Sequence, residues 1–114
     1  MAILLKDVVV NATTPQEAEF TFFRKETFFM TINIDGSQAG ANAILRIELY
    51  SEYGEKVDSV PYLVLNIDTE FVGKSDFSQT FVDVLFAPKG RIKVVYEGDG
   101  QATIKYLAIR KYGV

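Results

Sequence analysis

Residues 91–112 read RIKVVYEGDGQATIKYLAIRKY, and this stretch decides the fold. Two apolar runs flank residues 97–100 (EGDG), which is a turn signal because glycine enters positive φ at little cost and aspartate tolerates it. In the first run Ile92, Val94 and Tyr96 alternate with more polar residues, the period of a half-buried strand. The stretch therefore predicts a β-hairpin that closes the domain.

The second run of this stretch changes phase part-way along. Ala102, Ile104 and Tyr106 lie on one face of a regular strand, but the next large apolar residues, Leu107 and Ile109, lie on the other face. A β-bulge, or a strand that passes from one sheet to another, produces such a slip. We expect one of the two at Tyr106–Leu107.

The same alternation recurs through the chain and predicts about eight strands and no helix, because the 3.6-residue period never persists. The six segments before the closing hairpin are residues 3–10, 17–23, 27–34, 43–50, 57–67 and 80–86. Two antiparallel sheets joined by short and long connections form a β-sandwich, here of the jelly-roll type. The sequence thus predicts a single all-β domain over residues 1–114.

The earlier segments carry more specific expectations. In residues 43–50 the alternation is clearest and places Leu45 and Ile47 in the core. Residues 17–23 and 27–34 flank a short charged connector, which favours a hairpin of the second and third strands.

The later segments differ in character. Pro61 removes an amide donor from residues 57–67, which argues for a sheet edge or a bulge. Residues 68–79 are polar and predict a long connection across one end of the sandwich. Residues 80–86 are apolar on both faces apart from Asp83, so this strand is expected to be central or covered by a partner.

Composition excludes several classes of function. Among 114 residues, 12 basic and 15 acidic side chains give a net charge of -3, and they are scattered rather than clustered. This argues against a nucleic-acid partner, since such binding depends on grouped Lys and Arg. The absence of His and Cys removes the commonest general base, nucleophile systems and thiolate metal ligands. We therefore expect no enzyme activity and no cofactor.

The N-terminal residues Met1–Lys6 form one short apolar cluster with no basic segment before it. This pattern fits neither a signal peptide nor a membrane span. We expect synthesis in the cytoplasm, with export only inside an assembly such as a virion, and no membrane partner.

Acidic side chains offer two weak candidate sites. Asp83, in its apolar strand, is the best candidate for a carboxylic acid kept protonated by burial, as a glycosidase requires. Asp35 in a Gly-rich loop, and Glu97 with Asp99 in the turn, are weak candidates for Ca²⁺ ligands, but neither pattern matches the twelve-residue calcium loop. Solvated face residues and plain turns are the simpler interpretation.

Aromatic residues are the second source of candidates, with nine Phe and six Tyr. Most belong in the core, but Phe29, Tyr50, Tyr53 and Tyr62 lie opposite the best apolar stripe or in a turn. Exposed aromatic rings either stack on a ligand or bury against another subunit. We therefore predict that these four face a ligand or an interface.

Two segments, AILRIELYSEYGEKV (residues 43–57) and GRIKVVYEGDGQATIKYLAIRK (residues 90–111), carry a resemblance. Their order resembles that of jelly-roll carbohydrate-binding modules and galactose-binding-like domains. The resemblance implies a sugar gripped by Trp or Tyr and a Ca²⁺ held by acids of the first and last strands. This chain has no Trp, and residues 105–111 contain no acid.

Small virion accessory proteins of phages, such as capsid decoration, tail or fibre components, are similar as well. This likeness implies a non-enzymatic structural protein that forms a symmetric homo-oligomer, expected to be a trimer, and contacts a capsid or tail protein. A carbohydrate-binding module that recognises a glycan is the alternative hypothesis. The two hypotheses differ in whether the second-face aromatics bury against a subunit or stack on a sugar.

Overall fold

The computed structural model describes residues 1–53, 56–57 and 59–111, and most of these residues are in β-strands. The strands are β1 (Ala2–Asn11), β2 (Gln16–Thr21), β3 (Glu26–Asp35), β4 (Ile44–Tyr53), β5 (Lys56–Val57), β6 (Leu63–Ile67), β7 (Phe77–Phe86), β8 (Lys89–Glu97) and β9 (Gln101–Lys111). Within the described ranges the only helical segment is one 3₁₀ turn, Thr69–Phe71. The prediction of an all-β fold is confirmed.

Eight of the strands form two antiparallel sheets. Sheet A has the order β1-β9-β3-β7; sheet B has β2-β8-β4-β6, and the two-residue β5 pairs with the end of β4. The pairing is nested along the chain, since β1 pairs with β9, β2 with β8, β3 with β7 and β4 with β6. A long antiparallel ribbon folded over itself in this way is a jelly roll, so the predicted architecture is confirmed.

The sheets bury the alternating faces of their strands against each other. On β4, Leu45, Ile47 and Leu49 are 0% exposed, as the alternation predicted. Ile47 lies opposite Val94 of β8 and Leu65 of β6, so each layer of the core draws on several strands. Inner faces of two stacked sheets interdigitate over about 10 Å, which fills the sandwich with side chains.

Aromatic residues close both ends of this core. Phe20 and Phe28 pack on Phe86, with ring centroids 4.9 Å and 5.4 Å away, and both pairs are edge-to-face. At the other end, Phe71 of the 3₁₀ turn is fully buried. Edge-to-face pairs add to the stability that burial of the rings already provides.

The predicted closing hairpin is wrong. β8 pairs with β2 and β4 in sheet B, whereas β9 pairs with β1 and β3 in sheet A. The turn at residues 97–100 therefore crosses from one sheet to the other, with Gly98 at a φ of 119° and Gly100 at 80°. A turn signal marks a reversal of the chain, but it does not say whether the next strand stays in the same sheet.

The expected hairpin of β2 and β3 is wrong for the same reason. β2 pairs with β8 in sheet B, and β3 pairs with β7 and β9 in sheet A. Their charged connector crosses the end of the sandwich, where the Phe22 amide donates to the Pro88 carbonyl at 2.6 Å.

The predicted phase slip in β9 is a β-bulge. Tyr106 and Ile104 lie opposite consecutive residues of β3, so Lys105 is an extra residue on β9. Ile104 is buried before the bulge, and Leu107 and Ile109 are buried after it. Because of the inserted residue, the core-facing residues of β9 are even-numbered before the bulge and odd-numbered after it.

β7 lies at the edge of sheet A, so the first of the two alternatives for residues 80–86, a central strand, is wrong, and cover by a partner stays a prediction. Val84 points into the core, whereas Val82 is 62% and Leu85 42% exposed. The apolar residues on the two faces of this segment are therefore core residues on one face and exposed residues on the other. The register shifts within β7, and Asp83 adopts a φ of 55° at that point. The strand is therefore a bulged edge that leaves apolar side chains uncovered.

The segment around Pro61 follows the sequence argument in part. Residues 57–67 divide into the end of β5 and the strand β6, and Pro61 precedes β6 at the edge of sheet B. The connection predicted over residues 68–79 contains the 3₁₀ turn, but β7 already begins at Phe77. Pro61 therefore lies beside an edge strand, where its missing amide donor does not interrupt the hydrogen bonds between interior strands.

Replacing Leu45 or Ile47 by Ala should lower the free energy of unfolding by about 2–5 kcal/mol, because each change leaves a cavity in a closely packed core. Val9→Ala, at an exposed position of the edge strand β1, is the control and should change stability by less than about 0.5 kcal/mol. Urea denaturation measures all three. Equal midpoints for wild type and the two core variants would contradict the assignment of this β4 face to the core.

Candidate functional site

The four aromatic residues predicted to face a ligand or a subunit do not converge. Phe29 lies on the outer face of sheet A and Tyr50 on the outer face of sheet B, on opposite sides of the sandwich. Tyr62 immediately precedes β6 at one side of the sandwich. Tyr53 ends β4, and its side chain falls outside the described residues. The described members of this set do not form a shared aromatic platform.

Tyr50 is buried, so the expectation that its ring is exposed is wrong. Only 7% of the residue is exposed. Its hydroxyl donates to Glu48 Oε1 at 2.8 Å, and the Arg91 guanidinium lies 4.1 Å from the ring centroid. A guanidinium covers one face of the ring, and the hydroxyl is hydrogen-bonded to Glu48. Tyr50 is therefore packed into the outer face of sheet B by its neighbours.

Arg46 and Arg91 extend these contacts across the strands of sheet B. Arg46 donates to Glu48 Oε2 at 2.8 Å and to Glu97 Oε1 at 2.5 Å. Arg91 donates to Glu17 Oε1 at 2.8 Å, which reaches the edge strand β2. We call this set the sheet B network; its members are Glu17, Arg46, Glu48, Tyr50, Arg91 and Glu97.

The network fixes the charge state of its members. Burial raises the pKa of the Glu48 carboxyl, but hydrogen bonds from Arg46 and Tyr50 outweigh burial and hold that pKa below its usual value. Hydrogen bonds to Glu97 and Glu48 raise the pKa of Arg46. Burial and the bond to Glu48 raise the pKa of Tyr50. All three shifts move away from neutrality, so these groups hold strands together rather than exchange protons near pH 7.

Asp83 does not fulfil the condition set for a glycosidase acid. It is exposed on β7, so the apolar burial that would keep its carboxyl protonated is missing and that expectation is wrong. Its φ of 55° gives another reason for an aspartate at this position. Aspartate enters the left-handed region more readily than β-branched or bulky residues do.

The three weak calcium candidates make contacts within the chain. Asp35 accepts hydrogen bonds from the Ser37 hydroxyl at 2.7 Å and amide at 3.0 Å, and these bonds lower the pKa of Asp35. Glu97 is paired with Arg46, and Asp99 contributes its main-chain oxygen to the turn. Across residues 1–53, 56–57 and 59–111, no group of three or more His, Cys, Asp or Glu side chains is arranged to hold a metal ion.

Exposed apolar side chains on and beside the edge strands β6 and β7 are the feature that the sequence analysis did not identify as a group. We call this group the β6–β7 patch; its members are Val60, Tyr62, Val64, Val82 and Leu85. Tyr62 joins its two halves, because the hydroxyl donates to the Leu85 carbonyl and accepts from the Ala87 amide, each at 3.0 Å. The signal in the sequence was the apolar character of both faces of residues 80–86.

Comparison of the sequence with protein-family models and with curated proteins gives no match. In the part of the chain that the structure describes, no helix has the length and hydropathy needed to cross a membrane. Function must therefore be argued from the surfaces of the fold.

The sheet B network predicts a specific pH dependence of stability. The pKa of Glu48 is lower in the folded than in the unfolded chain, so its charge contributes stability above the unfolded pKa, and this contribution is lost as pH falls through the folded pKa. Glu48→Gln should cost about 1–3 kcal/mol at neutral pH, and the difference from wild type should shrink in acid. Urea denaturation from about pH 7 to pH 3 measures it.

Glu70→Gln, which changes an exposed carboxylate outside the network, is the control and should alter stability by under about 0.5 kcal/mol at each pH. A Glu48→Gln difference that stays constant into acid would show that the carboxylate's charge is not what stabilises the fold.

Proposed function

We propose that this chain is a non-enzymatic assembly component of virion type, such as a capsid decoration, tail or fibre accessory protein. It associates with itself as a symmetric homo-oligomer and docks on a capsid or tail protein. The observation that carries the proposal is the β6–β7 patch. Exposed apolar side chains grouped at one side of a fold commonly mark a contact surface.

The patch stands out from the neighbouring outer face of sheet B. Val64 lies opposite Glu48 in register, so the patch begins where the sheet B network ends. Val60 and Val82 are 70% and 62% exposed. Full burial of a valine side chain contributes about 1.5–3 kcal/mol, so covering the patch provides a substantial driving force for association.

Two features of β7 indicate how subunits meet. The bulge at Asp83 interrupts the line of backbone groups along this edge. Near the end of the strand, Tyr62 already engages the Leu85 carbonyl and the Ala87 amide. Bulges and covered edges oppose the addition of a foreign strand. Association through the patch is therefore packing of side chains about a symmetry axis, and a trimer is the form we propose.

Contacts at the aromatic rings weigh against the carbohydrate-binding alternative. A sugar stacks on an exposed ring face, but Arg91 lies over Tyr50, and the Arg110 guanidinium lies 4.4 Å from the centroid of Phe29. The Tyr62 hydroxyl is hydrogen-bonded to the Leu85 carbonyl and the Ala87 amide at the end of β7. These rings support the fold of their own chain, so a sugar platform on them is disfavoured, and the assembly proposal rests on the exposed apolar side chains of the β6–β7 patch.

Light scattering at micromolar concentration should give a mass near three times the 12.8 kDa of one chain. The double variant Val60→Lys with Val82→Lys should reduce the mass to that of the monomer, because two ammonium groups would have to lose water in the contact. Tyr62 is left intact because its hydroxyl bonds hold the chain's own strands together.

Phe23→Lys is the matched control, since Phe23 is fully exposed but lies on the β2–β3 connection outside the patch. A monomeric wild type, or dissociation by Phe23→Lys with the patch variant still associated, would refute the proposed contact. Saturable binding of soluble glycans by a monomeric wild type would favour the alternative function.

A further inference from the structure

A second surface, on the outer face of sheet A, contains an open groove of about 460 Å³. Its shape follows from the order of side chains on β9. Ala108 is the small residue between Tyr106 and Arg110 on the same face, and it lies opposite Ile3 of β1 and Thr31 of β3. The groove therefore runs across the strands through Ala108, and we call it the β9 groove.

The bulge in β9 places two neighbouring residues on the wall of this groove. In a regular strand Lys105 and Tyr106 would face opposite sides of the sheet. Because of the bulge both line the groove, and Leu107 takes the next core position. Lys6 of β1 lies opposite Tyr106 in register and adds a second ammonium group.

The charge of the groove is opposite in sign to that of the chain. Lys6, Lys105 and Arg110 line it, and no Asp or Glu is among its described lining residues. The whole chain has a net charge of -3. Lys105 lies 3.8 Å from an exposed carboxylate of Asp76 and also interacts electrostatically with Asp35, and such surface pairs contribute little. Arg110 is held in place by its stacking on Phe29.

We propose that the β9 groove binds a small amphipathic anion. The apolar or aromatic body of the ligand lies across Ala108 between Ile3 and Tyr106. Its carboxylate, sulfonate or phosphate is held by a cationic side chain at one end of the groove, Lys6 or Lys105 beside Tyr106, or Arg110 beyond Ala108. A cavity of this volume suits a drug-sized molecule, and an apolar lining with a few convergent polar groups is the usual form of such sites.

The test uses two probes that share one apolar body. 8-Anilinonaphthalene-1-sulfonate carries the anion, and N-phenyl-1-naphthylamine lacks it. The sulfonate should bind saturably, with amide chemical-shift changes at Thr31 and residues 105–110. Lys105→Gln with Arg110→Gln should weaken the sulfonate about tenfold and leave the neutral probe unchanged, because charge-assisted hydrogen bonds are lost. Ala108→Leu, which fills the groove, should weaken both probes.

Lys89→Gln with Lys93→Gln, on β8 of the other sheet, is the matched control for the loss of two charges and should not change the affinity. The proposal is overturned if neither probe saturates, if both bind wild type and the Lys105/Arg110 variant equally well, or if the shifts fall on other residues. The Val60/Val82 variant should bind the sulfonate as wild type does, so failure of the assembly proposal and failure of this one are distinguishable.

Discussion

The crossing of the chain between sheets at residues 97–100 is the constraint on which the rest of the structure depends. The Asp99 carbonyl accepts hydrogen bonds from the Tyr96 hydroxyl and from the Gly40 amide, the latter at 2.9 Å. Gly100 has a φ of 80°, and a Cβ there would lie 2.3 Å from the Gln38 carbonyl oxygen, so only glycine fits. If β8 and β9 formed a hairpin instead, β9 would displace β2 or β4 from β8, and the nested pairing of the jelly roll would be lost.

Sequence reasoning succeeded where the signal is local and failed where it depends on distant strands. Leu45 and Ile47 were predicted correctly because a period of two identifies a buried face within one strand. The slip in β9 was predicted because an inserted residue changes which parity is apolar. The EGDG turn could not reveal that its two strands enter different sheets. Tyr50 was misjudged because its cover, Arg91, comes from a strand far along the sequence.

The residues of the candidate site also divide into those with a local sequence signal and those whose role depends on distant strands. The residue types were informative, but Tyr50, Phe29 and Tyr62 make contacts within their own chain: two lie beneath guanidinium groups and one joins two strands. Aromatic content alone does not separate a ring that supports a sheet from a ring that binds a partner. Five of the nine exposed large hydrophobic residues in the described part of the chain lie at the β6–β7 side: Val60, Tyr62, Val64, Val82 and Leu85. Their common exposure depends on β6 and β7 both being edge strands, which is a property of topology.

The bulge in β9 links the core to the outer face of sheet A. A regular strand would carry Tyr106 inward after Ile104, and Leu107 outward. The extra residue instead sends Tyr106 to the groove and brings Leu107 inward, where it is 0% exposed. The shape of the groove is therefore coupled to the packing of the core through the backbone at Lys105. Ala108 and Arg110 lie beyond the bulge and face outward, so their side chains can change the groove's depth and charge without altering which residues fill the core.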